Sequence, residues 1–244
     1  MSGLKPDMAM VLAAGLGKRM RPLTDVTPKP LIEVAGRSLL DRGLDQLATA
    51  GVRRAVINVH WLGEQIIAHA PTRTDMAITI SDEREALLDS AGGIVKALPL
   101  LGEEPFFILN ADTFWIDGAH SALQSLRDAW DDQRMDMMML LADPARATGH
   151  TGGLDFIRHG DGRLERAGKA AQGFIYAGAA ILHPRILAGA PASAHSLNLY
   201  FDRMIAAGRL CGTVLDGHWI TVGTPDAIAP AEAAVRAHAA AAKG

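Results

Sequence analysis

The sequence predicts a doubly wound α/β fold with a mostly parallel sheet, and two observations carry the prediction. Apolar runs rich in Val, Ile and Met recur at residues 8–14, 55–59, 76–80, 106–109 and 135–141. The segments between them have helical spacing, and a continuous apolar strand flanked by helices is what a parallel sheet covered on both faces requires. The first repeat of the pattern is the clearest. Leu39, Leu40, Leu44, Leu47 and Ala48 fall on one helical face, Ser38 is placed to cap its start and Gly51 to end it.

After about residue 143 the texture changes. Gly149, Gly152, Gly153, Gly160, Gly162 and Gly168 punctuate short segments, and those at 154–157 and 174–182 read as antiparallel strands. Helical periodicity returns over 197–207 and in the alanine-rich stretch 225–242. No linker, low-complexity tract or repeat divides the chain. One domain over 1–244 is expected: a first half to about 142, a small mixed α+β lobe over about 143–224 and a last helix over about 225–244.

Composition limits the function classes. A chain of 244 residues with 49% hydrophobic and 21% charged residues buries a sizeable core, which excludes disorder, collagen and coiled coil. A formal net charge of -3 from 24 basic and 27 acidic residues gives no broad field for nucleic acid. The apolar run at 8–14 is too short to span a bilayer and leads into Gly15 and Gly17, so neither a membrane span nor a signal peptide is expected. Cys211, the one cysteine, allows no internal disulfide, and a cytoplasmic location is expected.

The most informative stretch is Leu12-Ala13-Ala14-Gly15-Leu16-Gly17-Lys18-Arg19-Met20-Arg21-Pro22-Leu23-Thr24, followed by Thr27-Pro28-Lys29-Pro30-Leu31. It puts small residues and bases directly after a buried strand. Glycines let the backbone approach a ligand and aim its amides at phosphate oxygens, while Lys18, Arg19, Arg21 and Lys29 offset polyphosphate charge. The dinucleotide fingerprint fails because Met20 takes its third glycine position. The P-loop fails because Lys18 is followed by Arg19 and Leu12 replaces its first glycine.

The whole string resembles the signature of sugar-1-phosphate nucleotidyltransferases, which join a nucleoside triphosphate to a sugar 1-phosphate and release pyrophosphate. Further segments resemble the family in its order: Asn58-Val59-His60-Trp61-Leu62, Ser90-Ala91-Gly92-Gly93-Ile94-Val95-Lys96-Ala97-Leu98, Leu109-Asn110-Ala111-Asp112, Tyr176-Ala177-Gly178 and Trp219-Ile220-Thr221-Val222-Gly223-Thr224. The short chain, the Asn58-Val59-His60-Trp61-Leu62 string and the string that begins at Ser90 and runs on to Pro99 resemble most the uridylyltransferases of peptidoglycan recycling that act on N-acetylmuramic acid α-1-phosphate. The resemblance implies the family's Rossmann-like fold, with the first half nucleotide-binding and the lobe sugar-binding. It implies UTP as nucleotide donor, although GDP-, dTDP- and CDP-sugar enzymes share the same loop.

Strand order supports the assignment independently. In a 3-2-1-4 order strands one and four are neighbours, so the basic loop leaving strand one and Asp112 leaving strand four converge on one crevice. By resemblance Arg19 contacts the β and γ phosphates, Lys29 bridges the nucleotide and sugar phosphates, and Asp112 holds Mg²⁺, the expected cofactor. Asp112 alone would also suit the cap of a turn. The resemblance gives base recognition to backbone groups of Ala13 and Ala14 in the Gly15 and Gly17 loop, and of Gly92 and Gly93. The last two equally suit the crowded start of a helix. Asn110, Gly153, Asp155, Tyr176, Ala177 and Asn198 are the sugar-contact candidates, with Tyr176 also suited to a core aromatic. Lys169 lies where relatives carry a phosphate-binding lysine, without their Glu-Lys-Pro pattern.

The pattern breaks at Thr221. Many relatives place a second metal-binding aspartate there, and a neutral hydroxyl is a poorer Mg²⁺ ligand. Either Asp112, phosphates and water suffice, or Asp216 or Asp226 substitutes, or the chain is a catalytically silent binder. The first is expected, because a triphosphate brings its own oxygen ligands. Met135, Met137, Met138 and Met139 read as a buried strand rather than a thioether site, and the scattered histidines lack zinc spacing. His60 and Trp61 suit either the sugar pocket or packing at a strand end. The expected partners are a nucleoside triphosphate and a sugar 1-phosphate, with no nucleic acid and no membrane. Oligomeric state is left open.

Overall fold

A computed structural model describes residues 6–241. The first half runs β1 (Met8–Leu12), a small hairpin of β2 (Glu33–Val34) and β3 (Arg37–Ser38), α1 (Leu39–Thr49), β4 (Arg54–Val59), α2 (Gly63–His69) and β5 (Ala77–Asp82). It continues with α3 (Asp89–Leu101), β6 (Phe106–Asn110), β7 (Thr113–Asp117), α4 (Ala122–Ala129) and β8 (Met137–Ala142). The second half adds β9 (Ala147–Thr148), β10 (Phe156–Arg158), β11 (Leu164–Arg166), β12 (Ile175–Leu182), α5 (Asn198–Ala206), β13 (Leu210–Val214), β14 (Gly217–Thr221) and α6 (Ile228–Ala241). The last residues of the helix expected over 225–244 lie outside the described residues.

All five apolar runs are strands of one seven-stranded sheet in the order β13-β8-β12-β6-β1-β4-β5. β5, β4, β1 and β6 are mutually parallel, giving the expected 3-2-1-4 order with β1 beside β6. Alternation splits the central strands β1, β4, β6, β8 and β12 between two cores. Ala9, Val11, Phe107 and Leu109 pack with Leu40, Leu44 and Leu47 of α1 on one face. Met10, Phe106 and Ile108 pack with Ile94 and Ala97 of α3 and Phe201 of α5 on the other. Helices on both faces are the physical content of the doubly wound architecture. Met137, Met138 and Met139 are buried in β8, as a strand rather than a metal site.

The change of texture near Asp143 does not coincide with a change of sheet. β12 runs antiparallel between β6 and β8, and β13 adds parallel to β8, so the expected lobe supplies two strands of the main sheet. Because β12 runs against its neighbours, its first residues, Ile175 and Tyr176, reach the end of the sheet where the parallel strands finish. The remaining strands form the β7-β14-β9 sheet and the β10-β11 hairpin. A third core of Met20, Phe114, Ile220 and Val222 joins the antiparallel β7-β14 pair to α6.

Local signals explain the boundaries. Ser38 Oγ accepts the Asp41 N–H at 3.0 Å, an N-cap, and Gly51 with φ 83° lets the chain turn after α1. At the opposite end of the sheet, Asp136 accepts from Arg185 Nε at 2.6 Å and from Arg209 Nε at 2.8 Å, tying the start of β8 to segments flanking β12 and β13. Burial works against this carboxylate's charge, but the two arginines outweigh it and hold the carboxyl below the usual range. A depressed folded-state pKa contributes stability above the unfolded value and loses it as pH falls through the folded one. Asp136→Asn is therefore expected to cost about 2 kcal/mol in urea unfolding at neutral pH. The difference from wild type should shrink below pH about 4; an equal cost at pH 7 and pH 3 would contradict the pairing.

Candidate functional site

The loop leaving β1 is the first wall of the site. Ala14, Gly15 and Leu16 make no hydrogen bond among the described residues, so their N–H groups are free to meet a ligand. Gly17 has φ 60°, and a Cβ there would stand 2.8 Å from Thr24 Cγ2 and 3.2 Å from Lys29 Cβ. Its glycine is therefore a requirement of the turn that brings Lys29 inward. Thr24 Oγ1 donates to the Gly17 carbonyl at 2.9 Å, and Trp61 Nε1 donates to the Thr24 carbonyl at 2.7 Å. Trp61 thus anchors the loop, and His60 Nδ1 lies 2.6 Å from the Glu83 carbonyl. Both serve packing at the end of β4.

A buried polar relay fixes the second wall. Ala13 N–H donates to Asn58 Oδ1 at 2.7 Å, Asn58 Nδ2 donates to Glu83 Oε1 at 2.7 Å, and Leu88 N–H donates to Glu83 Oε2 at 3.2 Å. Glu83 is 1% exposed, so these bonds satisfy a carboxylate that water does not reach. The relay ties the loops after β1 and β5 together through Asn58 of β4. It also places two sequence candidates. A Cβ at residue 93 would stand 2.6 Å from Glu83 Oε1, and one at residue 92 would stand 2.2 Å from the Ser193 carbonyl oxygen. Gly92 and Gly93 are buried in the first turns of α3, where neighbours crowd them, and neither is among the residues lining the site's two cavities. Ala13 is likewise buried, with its N–H spent on Asn58.

Two adjoining cavities open at the carboxyl ends of the parallel strands. One, of about 550 Å³, is lined by Ala14, Gly15, Asp89, Asn110, Asp112 and Ala194, among others. The other, of about 270 Å³, is lined by Asn110, Asp155, Arg166, Tyr176, Asn198 and Phe201, among others. Leu12, Ser90 and Asn110 belong to both, so the cavities share a wall. Expected candidates Asp155, Tyr176 and Asn198 stand together in the second cavity. Gly153 is exposed on the loop before β10, where its carbonyl accepts from or faces His150 Nε2 at 3.0 Å, and it does not line the cavity. Ala177 is fully buried, with its carbonyl accepting from Thr113 Oγ1 and Trp219 Nε1, so packing consumes it. The Tyr176 phenol oxygen is buried without a partner among the described residues, and burial pushes its pKa up, which keeps the O–H protonated. Lys169 is exposed and outside the cavity.

The charged groups meet at the first cavity's rim. Lys29, only 9% exposed, donates from Nζ to Asp112 Oδ2 at 2.8 Å, across 83 residues of sequence. The convergence of basic loop and carboxylate expected from strand order is therefore present. Arg19 is exposed, makes no hydrogen bond or ion pair among the described residues, and would stand 3.5 Å from a Cβ at residue 223. Thr221 pairs with Thr113 in the antiparallel β7-β14 ladder, and the Val222 N–H approaches the Asp112 carbonyl at 3.5 Å. Thr221 is thus at the same end of this ladder as Asp112. Asp216 lies at the other end, 3.6 Å from both His120 Nδ1 and Arg146 Nη1. Among the described residues no three carboxylate, imidazole or thiol groups gather as an all-protein metal cage.

Several wall residues escaped the sequence reading. Asp89 faces the same cavity as Asp112 and carries a positive φ of 59°, unusual for a side-chain-bearing residue. Its neighbour Ser90 accepts the Leu197 N–H on Oγ at 2.9 Å, and the His195 carbonyl accepts the Ala91 N–H at 3.0 Å. The segment 193–197 therefore crosses the start of α3 and connects the two cavities. Asp89 and Ser90 stand directly before the glycines and were open to discovery from the same string. Arg166 and the 193–197 segment had no local signal.

Comparison with known proteins agrees with this arrangement. Residues 8–150 match the nucleotidyl transferase family. The chain is 44% identical over 234 residues, 93% of its length and 96% of the relative's, to N-acetylmuramate alpha-1-phosphate uridylyltransferase of Caulobacter vibrioides. It is 34% identical to the protein of the same name from Neisseria meningitidis, over 88% of this chain and 93% of that one. In fold it is similar to the inositol-1-phosphate CTP transferase of T. maritima, with a TM-score of 0.74, 16% identity and coverage of 92% of both chains. The chain belongs to the nucleotidyl transferase family, among the sugar-1-phosphate nucleotidyltransferases.

Proposed function

We propose that the protein transfers a uridylyl group from UTP to N-acetylmuramic acid α-1-phosphate, forming a UDP-sugar and releasing pyrophosphate. The observation that carries this reading is the pair of adjoining cavities with Lys29 and Asp112 at the rim. The names of the two similar proteins supply the sugar and the base. Both reactants are anions, and the attacking phosphate oxygen already carries its charge, so no strong general base is needed. Catalysis then rests on alignment and on neutralising charge as the transition state forms.

In this reading the free N–H groups of Ala14, Gly15 and Leu16 and the Arg19 guanidinium receive the triphosphate. Lys29 lies between the two phosphates that must approach, and Tyr176, Asn110, Asp155 and Asn198 orient the sugar. The sugar-phosphate oxygen attacks the α-phosphorus in line, the bond to the bridging oxygen breaks, and pyrophosphate leaves with that oxygen. A Mg²⁺ ion fits the donor set, because a partly exposed carboxylate with one oxygen outside the Lys29 bond suits a cation that takes one or two carboxylates plus phosphates and water. Asp112 would hold it, and it would supply charge neutralisation on the phosphates. With UTP labelled at the α-phosphorus, the label is expected in the UDP-sugar and none in pyrophosphate; label in pyrophosphate or free UMP would overturn the reading.

Thr221→Asp tests the missing ligand. At the same end of the β7-β14 ladder as Asp112, the added carboxylate is expected to lower the Mg²⁺ concentration for half-maximal rate by about tenfold. An unchanged Mg²⁺ titration would mean that this position does not reach the metal.

A further inference from the structure

The sugar-side cavity contains a cation that the reaction as described does not use. Arg166, at the end of β11, is the one cationic residue among those lining it. Its guanidinium carbon stands 5.1 Å from the centroid of Phe156 and 5.5 Å from that of Phe201. Nε donates to Asp202 Oδ1 at 2.8 Å, and Nη2 donates to the Asn198 carbonyl at 3.3 Å and to Asn198 Oδ1 at 3.0 Å. These contacts fix the plane of the fork, while Nη1 has no hydrogen-bond partner among the described residues. A planar guanidinium held on two rings with one nitrogen unclaimed is preorganised for an oxyanion. That anion is not the substrate's phosphate: Arg166 is absent from the glycine-loop cavity, where Asp112 stands.

We propose that Arg166 recognises a carboxylate on the sugar 1-phosphate and so selects an acidic acetamido sugar over its neutral counterpart. The proposal rests on the reading that the substrate is N-acetylmuramic acid 1-phosphate. That sugar differs from N-acetylglucosamine 1-phosphate by a lactyl ether whose carboxylate needs a cationic partner. The pocket's other charged group, Asp155, accepts the Tyr176 N–H at 2.8 Å and suits sugar hydroxyl or amide N–H donors rather than an anion. Opposite charges on Asp155 and Arg166 would thus orient the ring between them.

The test compares kcat/KM for the two sugar 1-phosphates, with UTP saturating, in wild type and R166M. Wild type is expected to favour the acidic sugar. R166M should raise the KM for it and lower the acidic-to-neutral selectivity by about 10- to 100-fold, with the KM for UTP unchanged. R166K keeps the charge without the fork and is expected to fall between them; it also serves if R166M does not fold. A wild type that uses the acidic sugar, with variants that lose both sugars in parallel, would overturn the role of Arg166 alone. A wild type that prefers neutral sugars would overturn the substrate reading and this proposal together.

Discussion

Asp112→Asn is expected to lower kcat by about a thousandfold while leaving the melting temperature within about 3 °C of wild type. Asp112 sits in the turn between β6 and β7, its side chain 39% exposed, with Lys29 as its one side-chain partner among the described residues. Asparagine has the same shape and leaves the backbone contact with Val222 untouched, so the fold has little to lose. What disappears is the negative charge proposed to hold the metal against the phosphates. Thr113 and Thr221 close this end of the β7-β14 ladder, so neither strand offers a second carboxylate there. Pyrophosphate release measured across a Mg²⁺ titration decides the matter. Mg²⁺-dependent turnover within tenfold of wild type would remove Asp112 from the metal site.

Lys29→Met is expected to cost about as much in kcat, roughly a thousandfold, while weakening UTP binding less than tenfold. The asymmetry follows from position. Lys29 is nearly buried beneath the glycine loop and stands 2.8 Å from Asp112, whereas Arg19 and the free loop amides are available for the triphosphate without it. Its charge matters most when two phosphates are forced together, which happens only on the way to the transition state. Methionine fills a similar volume, and Asp112 is exposed enough for water to solvate it. Single-turnover rates and UTP affinity, measured separately, check this. A variant that loses UTP affinity but keeps the rate at saturation would assign Lys29 to ground-state binding.

The sequence carried the parallel half of the fold because each strand there is a continuous apolar run and each crossover has one geometry. Strand order then brings the basic loop after β1 and Asp112 after β6 to one crevice, and the structure adds Lys29 there. What it did not carry depends on neighbours far along the chain. The apolar run at 174–182 announces burial, but nothing local says that β12 inserts between β6 and β8. Its bulge, where register shifts between Tyr176 and Ala180, is what turns the Ala177 carbonyl to Thr113 and Trp219.

Small residues were ambiguous in the same way. A glycine permits close approach without naming what approaches. At Gly15 nothing lies within 4 Å of an added Cβ, at Gly17 it is Thr24, at Gly92 the Ser193 carbonyl, and at Gly93 Glu83. Only the first is open space. The acid that makes Gly93 necessary, Glu83, is unremarkable in the sequence, because its burial depends on Asn58 and Leu88 meeting it. Arg166 reads as one base in a polar hairpin until Phe156 and Phe201 are placed beneath it.

The central claim is tested most directly by pyrophosphate release with Mg²⁺ across UTP, GTP, dTTP, CTP and ATP, each against the 1-phosphates of N-acetylmuramic acid, glucose, N-acetylglucosamine and mannose. One dominant combination is expected, UTP with N-acetylmuramic acid 1-phosphate. Folded protein that is silent across the whole grid would contradict catalysis through Asp112, and a dominant signal from another pair would contradict the substrate assignment.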